Sequence, residues 1–132
     1  MVSILYFGPY INYLLMQAIT IFGIKNCETM QKAFRWLDSK QVAYVFHDFK
    51  KGNLTEENIS FWLMDISLEE VINKKGTTWK KLSDEEKGSI NDHKAAIGLI
   101  LKNPSIVKRP LLQMGKKHIV GFNPEQWDIL FS

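Results

Sequence analysis

The sequence predicts an α/β domain whose mixed sheet is built from a β-α-β unit near its start and a β-β-α unit at its end, with a helical insert between the two. Three observations support this prediction. A strand-like run is followed by apolar residues at helical spacing and by a second strand-like run; the middle carries repeated helix-capping patterns; and the tail is typical of a hairpin followed by a short helix. With 132 residues, 45% of them hydrophobic, the chain is long enough to bury one core.

The first unit begins with Ile19-Thr20-Ile21-Phe22, a β-branched and aromatic run bounded by Gly23 that predicts a strand. The following segment places apolar residues on one helix face, which predicts the crossover helix; these residues are Met30, Ala33, Phe34 and Leu37. Residues 42–46 are rich in strand formers and predict the second, parallel strand.

The predicted insert spans about residues 54–103 and consists of short helices. Thr55, Ser67 and Ser83 each fit the start of a helix, and the two serines are followed three residues later by glutamate, the capping-box pattern. Ile59, Trp62, Leu63 and Ile66 share one face of the first of these helices. Gly76 and Gly88 are expected to end helices, and a longer helix is predicted over Asp92–Lys102.

The tail predicts a hairpin with strands at 110–114 and 118–121 around a Gly115-Lys116 turn. Pro124 then occupies a position that is tolerated in the first turn of a final short helix.

Composition excludes several classes of protein. The 17 basic and 14 acidic residues give a formal charge of +3, which is too weak to predict direct nucleic-acid binding. The single cysteine, Cys27, cannot form an internal disulfide, and it does not make a zinc site with three scattered histidines, so we expect no bound metal. Glycine-rich phosphate loops of the two common kinds do not occur.

Residues 1–24 are uncharged and mostly apolar, and three interpretations compete for them. The segment lacks the basic start and the cleavage site of a signal peptide, and a Gly-Pro pair and polar side chains interrupt it as a membrane span. We favour a domain that starts at Met16 and covers 16–132, with residues 1–15 as an extension outside the fold. A weak membrane anchor is the alternative.

Cys27 is the most informative residue because it lies in the turn between the first strand and the first helix. Unpaired backbone N–H groups and the positive end of the helix dipole meet there, and Lys25 is two residues away. These features lower the pKa of a thiol from about 8.5 and predict a reactive nucleophile. The alternative is a small buried apolar side chain.

Two basic segments are candidate anion sites. Arg109 precedes Pro110, and a proline at the head of a strand marks an edge, a bulge or a cis turn. If the outer strands share one sheet, this turn approaches the Cys27 loop, where Arg109 can bind an oxyanion through its planar fork. Lys74 and Lys75 belong to a run of four lysines within residues 74–81. Both segments can equally be solvated surface.

Several blocks of the sequence resemble the arsenate reductase and Spx family, especially its YffB-like branch. The blocks are GIKNCET at 23–29, KAFRWL at 32–37, FHDF at 46–49, GTTWKKL at 76–82 and IVKRPLL at 106–112. The resemblance covers residues 18–131. It implies a thioredoxin-like fold with an inserted helical subdomain and a cysteine that attacks an oxyanion or a disulfide, with glutathione and glutaredoxin returning the cysteine to its thiol form.

By this resemblance Cys27 takes the place of the nucleophile, and Arg109-Pro110 takes the place of the arginine and cis-proline. Lys74 and Lys75 fall where arginine is usual, which weakens the case for arsenate as the substrate because lysine cannot grip two oxygens in a fixed fork. Together with Lys25 and Asn26, these residues form the predicted substrate-binding set.

Met30 stands at the position where Spx-type regulators carry a second cysteine, so an external thiol must resolve any disulfide of Cys27. We therefore expect a cytoplasmic, monomeric, glutathione-dependent thiol oxidoreductase, with no bound cofactor, a small oxyanion or disulfide as substrate, and glutathione and glutaredoxin as partners. The alternatives are a non-enzymatic regulator that binds RNA polymerase, as Spx-like relatives do, and an inactive scaffold.

Overall fold

The computed structural model describes residues 18–132, which form four strands and seven α-helices. The strands are β1 (Ile19–Gly23), β2 (Val45–Asp48), β3 (Leu111–Met114) and β4 (Lys117–Val120). The helices are α1 (Glu28–Ser39), α2 (Glu56–Leu63), α3 (Leu68–Val71), α4 (Thr77–Lys80), α5 (Asp84–Gly88), α6 (His93–Lys102) and α7 (Pro124–Leu130). The predicted extension at 1–15 and the start at Met16 lie outside the described residues.

The four strands form one mixed sheet in the order β2-β1-β3-β4. β1 runs parallel to β2 and antiparallel to β3, and β3 and β4 form the hairpin. Phe22 at the end of β1 pairs with Leu111 at the start of β3. The turn that follows β1 therefore lies beside the segment that leads into β3, as the sequence predicted for strands that share one sheet. This architecture is thioredoxin-like, with helices α2 to α6 as the helical insert.

One face of the sheet is covered by α1 and α7. Met30, Ala33 and Leu37 of α1 are fully buried, as their helical spacing predicted, and they pack with Trp127 of α7. Ile21 of β1 belongs to the same apolar cluster. This burial fixes α1 on the sheet and so fixes the position of its first residue relative to the end of β1.

The opposite face of the sheet is covered by the insert. Trp62 of α2 is fully buried and meets the ring of Phe22 edge-on, with 5.0 Å between ring centroids. The insert is also joined to the segment before β3 by backbone hydrogen bonds. The Asn73 nitrogen lies 2.7 Å from the Ile106 oxygen, and the Lys108 nitrogen lies 2.8 Å from the Val71 oxygen.

β2 begins three residues later than the prediction of a strand at 42–46. The Val42 amide is used to close the end of α1, since it donates to the Leu37 carbonyl at 2.9 Å, and Gln41 adopts a positive φ of 58°. The strand then continues to Asp48, whose side chain accepts a hydrogen bond from the Lys50 amide in the following 3-10 turn. Closure of the preceding helix therefore sets the start of the strand.

The helix starts at Thr55, Ser67 and Ser83 are confirmed, and each of these side chains forms a capping box. Gly76 was expected to end a helix, and this prediction is wrong because Gly76 is the N-cap of α4. α3 ends earlier, where Ile72 becomes extended and pairs with Val107.

Two smaller differences concern element ends. Ile66 was assigned to the apolar face of the first insert helix, but it lies beyond the end of α2 and is nevertheless buried. The hairpin strands start and end within one residue of the predicted bounds.

Within residues 18–132, the helices are all too short or too polar to cross a membrane.

Candidate functional site

Cys27 is the N-cap residue of α1 and has extended backbone angles of φ −136° and ψ 128°. Its side chain is partly buried, and its carbonyl accepts the first helical hydrogen bond from the Gln31 amide at 3.0 Å. In the described part of the chain, this N-cap makes no side-chain capping hydrogen bond of the usual kind. The amides of the first turn are therefore available to stabilise negative charge on the sulfur.

Gly23 allows α1 to approach β1 closely just below this turn. A Cβ atom at Gly23 would overlap the Sδ atom of Met30, which is fully buried. Met30 is thus a packing residue that anchors the first turn of α1. This gives Met30 a structural role at the position where a second thiol would otherwise stand.

Arg109 leads into β3 through a cis peptide bond to Pro110, one of the three alternatives that the sequence left open. The Nη1 atom of Arg109 donates to the Ser105 carbonyl at 3.0 Å, which holds one side of the guanidinium. The Nε atom is buried and has no hydrogen-bond partner among the described residues. Nη1 of Arg109 is therefore fixed by the backbone, and Nε is covered by protein atoms.

The guanidinium of Arg109 faces the sulfur of Cys27 and changes its acidity. Partial burial raises the pKa of the Cys27 thiol, but the backbone amides of Met30 and Thr29 and the nearby Arg109 charge together outweigh that effect. The net effect is a pKa below the ordinary value of a cysteine thiol. The tertiary structure thus brings together the two residues that the sequence singled out as nucleophile and anion ligand.

Lys25 and Asn26 are exposed in the turn between β1 and α1. The carbonyl of Lys25 accepts a hydrogen bond from Nε2 of Gln31 at 2.7 Å, which links this segment to the first turn of α1. The Lys25 side chain lines a groove between α1 and β2. Both residues therefore lie next to Cys27, and their role in substrate binding stays a prediction.

Lys74 and Lys75 lie in the insert, beside the segment that leads to Arg109. With Lys108 they line a groove of about 320 Å³. Lys74 forms an ion pair with Glu69 at 2.8 Å and lies 6.0 Å from the ring centroid of Trp79, so part of its charge is already neutralised. No ion pair to Lys75 occurs in the described part of the chain. The role of Lys74 and Lys75 as anion ligands stays a prediction.

The sequence did not reveal Ser105, whose carbonyl orients Arg109, or the side chains of the groove beside Lys25. A backbone carbonyl has no sequence signature, so the contact of Ser105 is visible only in three dimensions. For metals, residues 18–132 contain no group of three or more His, Cys, Asp or Glu side chains close enough to hold an ion.

The mixed sheet, the helical insert and the thiol beside the Arg109-Pro110 segment define a thioredoxin-like protein with an inserted helical subdomain. The chain belongs to the ArsC family, whose model matches residues 22–130.

Three similar proteins illustrate the range of this family. A solved structure named YFFB (PA3664) protein is 38% identical, with a TM-score of 0.80 over 86% of this chain and 99% of that chain. An arsenate reductase (ArsC) related protein from Brucella melitensis is 41% identical, with a TM-score of 0.68 over 87% and 95% of the two chains. The global transcriptional regulator Spx of Streptococcus pyogenes is 30% identical over 82% of this chain and 81% of its own.

Proposed function

We propose that this protein is a glutathione-dependent thiol oxidoreductase in which Cys27 is the nucleophile and Arg109 binds the negative charge of the substrate. One observation carries the proposal: the Cys27 sulfur lies at the start of α1 and faces the Arg109 guanidinium, and its pKa is lowered. A thiolate at neutral pH attacks electrophiles far faster than a thiol does. The Arg109 guanidinium keeps its charge at all working pH values and can bind a negatively charged incoming group.

The proposed reaction on a glutathione mixed disulfide has two exchange steps. The Cys27 thiolate attacks the glutathione sulfur, the S–S bond breaks, and the substrate leaves as a thiolate that takes up a proton. A second glutathione thiolate then attacks the glutathione sulfur held on Cys27. Oxidised glutathione forms, and Cys27 is released as a thiolate. The net exchange converts the mixed disulfide and one glutathione thiol into the substrate thiol and oxidised glutathione.

An external thiol is required because Cys27 is the single cysteine of the chain. A reducing, cytoplasmic environment supplies glutathione, and glutaredoxin is a further candidate for the resolving step. No second subunit enters the scheme, which is consistent with a monomer. A low pKa also makes Cys27 a good leaving group in the second step, since more acidic thiols leave faster.

A small oxyanion is the other substrate class that this site suits. Arg109 can bind such a group, and Lys75 lines a neighbouring groove with Lys108. The family includes a protein named as arsenate reductase-related, so arsenate is the oxyanion to test first. Lys74 also lies at this groove, but its ion pair with Glu69 neutralises part of its charge, so the groove is less positive than three free lysines would make it.

The pH dependence of Cys27 alkylation tests the proposal. We expect iodoacetamide to react with the wild-type protein at pH 6 to 7 much faster than with a free thiol, and the half-maximal rate to lie below about pH 8.5. Cys27→Ser is the control for labelling at other residues. A rate that rises only above about pH 8, as for an unperturbed thiol, would contradict the proposal.

Turnover then separates the two substrate classes. Glutathione-coupled reduction of a mixed disulfide, and separately of arsenate, is followed in the wild type, in Cys27→Ser and in Arg109→Ala. Loss of activity in Cys27→Ser is expected for either substrate. Activity that survives in that variant would remove Cys27 from the mechanism.

The likeness to the Spx regulator favours a second candidate, a non-enzymatic regulator that binds RNA polymerase. Retention of polymerase subunits on the purified protein, with equal retention by Cys27→Ser, would support this candidate. Alkylation and turnover experiments do not depend on that outcome, so the two candidates are tested separately.

A further inference from the structure

The two edges of the sheet differ in how their main chains are covered. At one edge the insert holds β4, because the Asp65 carboxylate accepts a hydrogen bond from the His118 amide within that strand. At the other edge, β2 pairs with β1 alone, in a register without a bulge over all four of its residues. Among residues 18–132, no backbone group outside β1 forms a hydrogen bond with the main chain of β2. The outer N–H and C=O groups of β2 are therefore available to a further strand.

Apart from its short length, β2 has few of the features that keep other chains away from an edge strand. It contains no proline and no lysine, which are the residues that most often protect such an edge. Its first residue, Val45, is 63% exposed although its side chain is apolar. An added strand would cover this valine and pair with the free main chain beside it.

A groove of about 480 Å³ runs along the same edge, between β2 and α1. Tyr44, Phe46 and Asp48 line it from alternate positions, as side chains on one face of a strand do. Phe34 of α1 completes its aromatic floor, since its ring stacks on Tyr44 with 5.7 Å between centroids and meets Phe46 edge-on at 5.0 Å. An open strand edge beside a side-chain groove is the combination that recognises extended peptides.

One end of the groove is basic. Lys25 follows β1 and Lys51 follows β2, and both line the groove because parallel strands end at the same side of a sheet. Lys50 is exposed next to Lys51, and in the described part of the chain none of these three lysines takes part in an ion pair. Asp48 is the acidic residue at this end, and one of its oxygens accepts a hydrogen bond from the Lys50 amide at 2.9 Å. The excess of positive charge favours an acidic group in the ligand.

We propose that the β2 edge binds an extended segment of another protein, which adds a fifth strand to the sheet. An aromatic side chain of that segment packs on the floor formed by Phe34, Tyr44 and Phe46, and an acidic side chain two positions along the segment reaches the basic end. Main-chain hydrogen bonds supply affinity, and these two side chains supply specificity. This binding goes beyond the thiol chemistry, since neither Cys27 nor Arg109 lines the groove.

The peptide acetyl-Thr-Glu-Val-Phe-Val-Glu-Thr-amide tests the inference. In an extended chain its phenylalanine and both glutamates lie on one face, and a glutamate stands two positions from the phenylalanine in either direction. We expect saturable shifts in an NMR titration, centred on the amides of β2 and α1, and slower hydrogen exchange of the outward amides of β2. A control peptide with N-methyl groups along its main chain keeps the side chains but lacks the donors for strand pairing, and it should not bind.

Matched changes in protein and peptide test the two side-chain contacts. Lys51→Glu should weaken binding about threefold to tenfold, because an attraction to the peptide glutamates becomes a repulsion. Lys80→Glu makes the same change of net charge at an exposed residue of α4 and should bind as the wild type does. A peptide with serine in place of phenylalanine should bind about tenfold more weakly or worse, since it buries no ring on the aromatic floor.

Absence of saturable binding at millimolar peptide, equal binding of the N-methylated peptide, equal affinities of the two lysine variants, or shifts confined to β4 would overturn the inference. Dimerisation of the protein through β2, seen by analytical ultracentrifugation without peptide, would assign this edge to a second copy of the chain and would overturn it as well. All these measurements can be repeated with Cys27→Ser, so their outcome is independent of the proposed function.

Discussion

The carboxylate of Asp65 accepts a hydrogen bond from the backbone amide of His118, with 2.6 Å between Oδ2 and the nitrogen, although the residues are 53 positions apart. Asp65 follows α2 in the insert, and His118 lies on the edge strand β4. An unpaired edge strand exposes backbone donors to other chains. Asp65 uses one of these donors to hold the insert against the hairpin.

Removal of this acceptor should destabilise the fold. Asp65→Ala leaves the buried His118 without its backbone partner, and we expect a loss of about 1–3 kcal/mol in the free energy of unfolding. Asp65→Asn keeps an oxygen acceptor and should lose less. Urea denaturation of both variants measures the difference. Equal stability of Asp65→Ala and the wild type would show that the contact does not contribute.

Stability should fall as the pH is lowered through the range in which histidine titrates. Burial lowers the pKa of His118 from 6.5, and the nearby Asp65 carboxylate, 3.4 Å from Nδ1, only partly offsets this effect. The other ring nitrogen, Nε2, lies 3.1 Å from Oε1 of Gln113, and the Phe61 ring packs edge-on against the imidazole.

In the pH window just below 6.5, the unfolded chain therefore binds more protons at this residue than the folded chain does, and protonation favours unfolding. The free energy of unfolding, measured between pH 7.5 and pH 5, should decrease more steeply in the wild type than in His118→Gln. His93→Gln, at an exposed residue of α6, is the control. An unchanged slope in His118→Gln would contradict this prediction.

Substitution of Arg109 should raise the pH at which Cys27 becomes reactive. The guanidinium stabilises the thiolate, so Arg109→Ala should shift the midpoint of the alkylation profile to higher pH. Arg109→Lys keeps the charge but not the geometry of the contact with Ser105, and it should give an intermediate midpoint.

Lys108→Ala removes a neighbouring charge and is the matched control for this experiment, which follows iodoacetamide labelling by mass spectrometry. Identical midpoints in Arg109→Ala and the wild type would separate Arg109 from the activation of the thiol.

Gly23→Ala should destabilise the protein because the new methyl group collides with the buried Met30 side chain. Overpacking of this kind costs about 1–3 kcal/mol. Gly98, in the middle of α6, faces open space where a Cβ atom would lie, so Gly98→Ala should instead stabilise the helix by about 0.5–1 kcal/mol. Thermal or urea unfolding of the two variants compares them directly. A Gly23→Ala protein as stable as the wild type would contradict the packing argument.

Local sequence patterns predicted most of the elements. The face of α1 followed from apolar residues at helical spacing, and the caps at Thr55, Ser67 and Ser83 followed from side chains that satisfy nearby amides. The start of β2 and the role of Gly76 could not be predicted in this way. The start of β2 depends on the hydrogen bond by which the Val42 amide closes α1. The role of Gly76 depends on the end of α3, where Ile72 pairs with Val107 in an isolated bridge.

The sequence by itself determined that the chain has a single thiol, that this thiol lies where a strand passes into a helix, and that an arginine precedes a proline far along the chain. These properties are local, since they depend on residue type and on spacing within one element. Only the tertiary structure decided that Cys27 and Arg109 meet, because that contact requires the antiparallel pairing of β1 with β3. The arrangement of the groove beside Lys25 was decided in the same way, since packing of α1 against β2 brings together side chains that no short stretch of sequence connects.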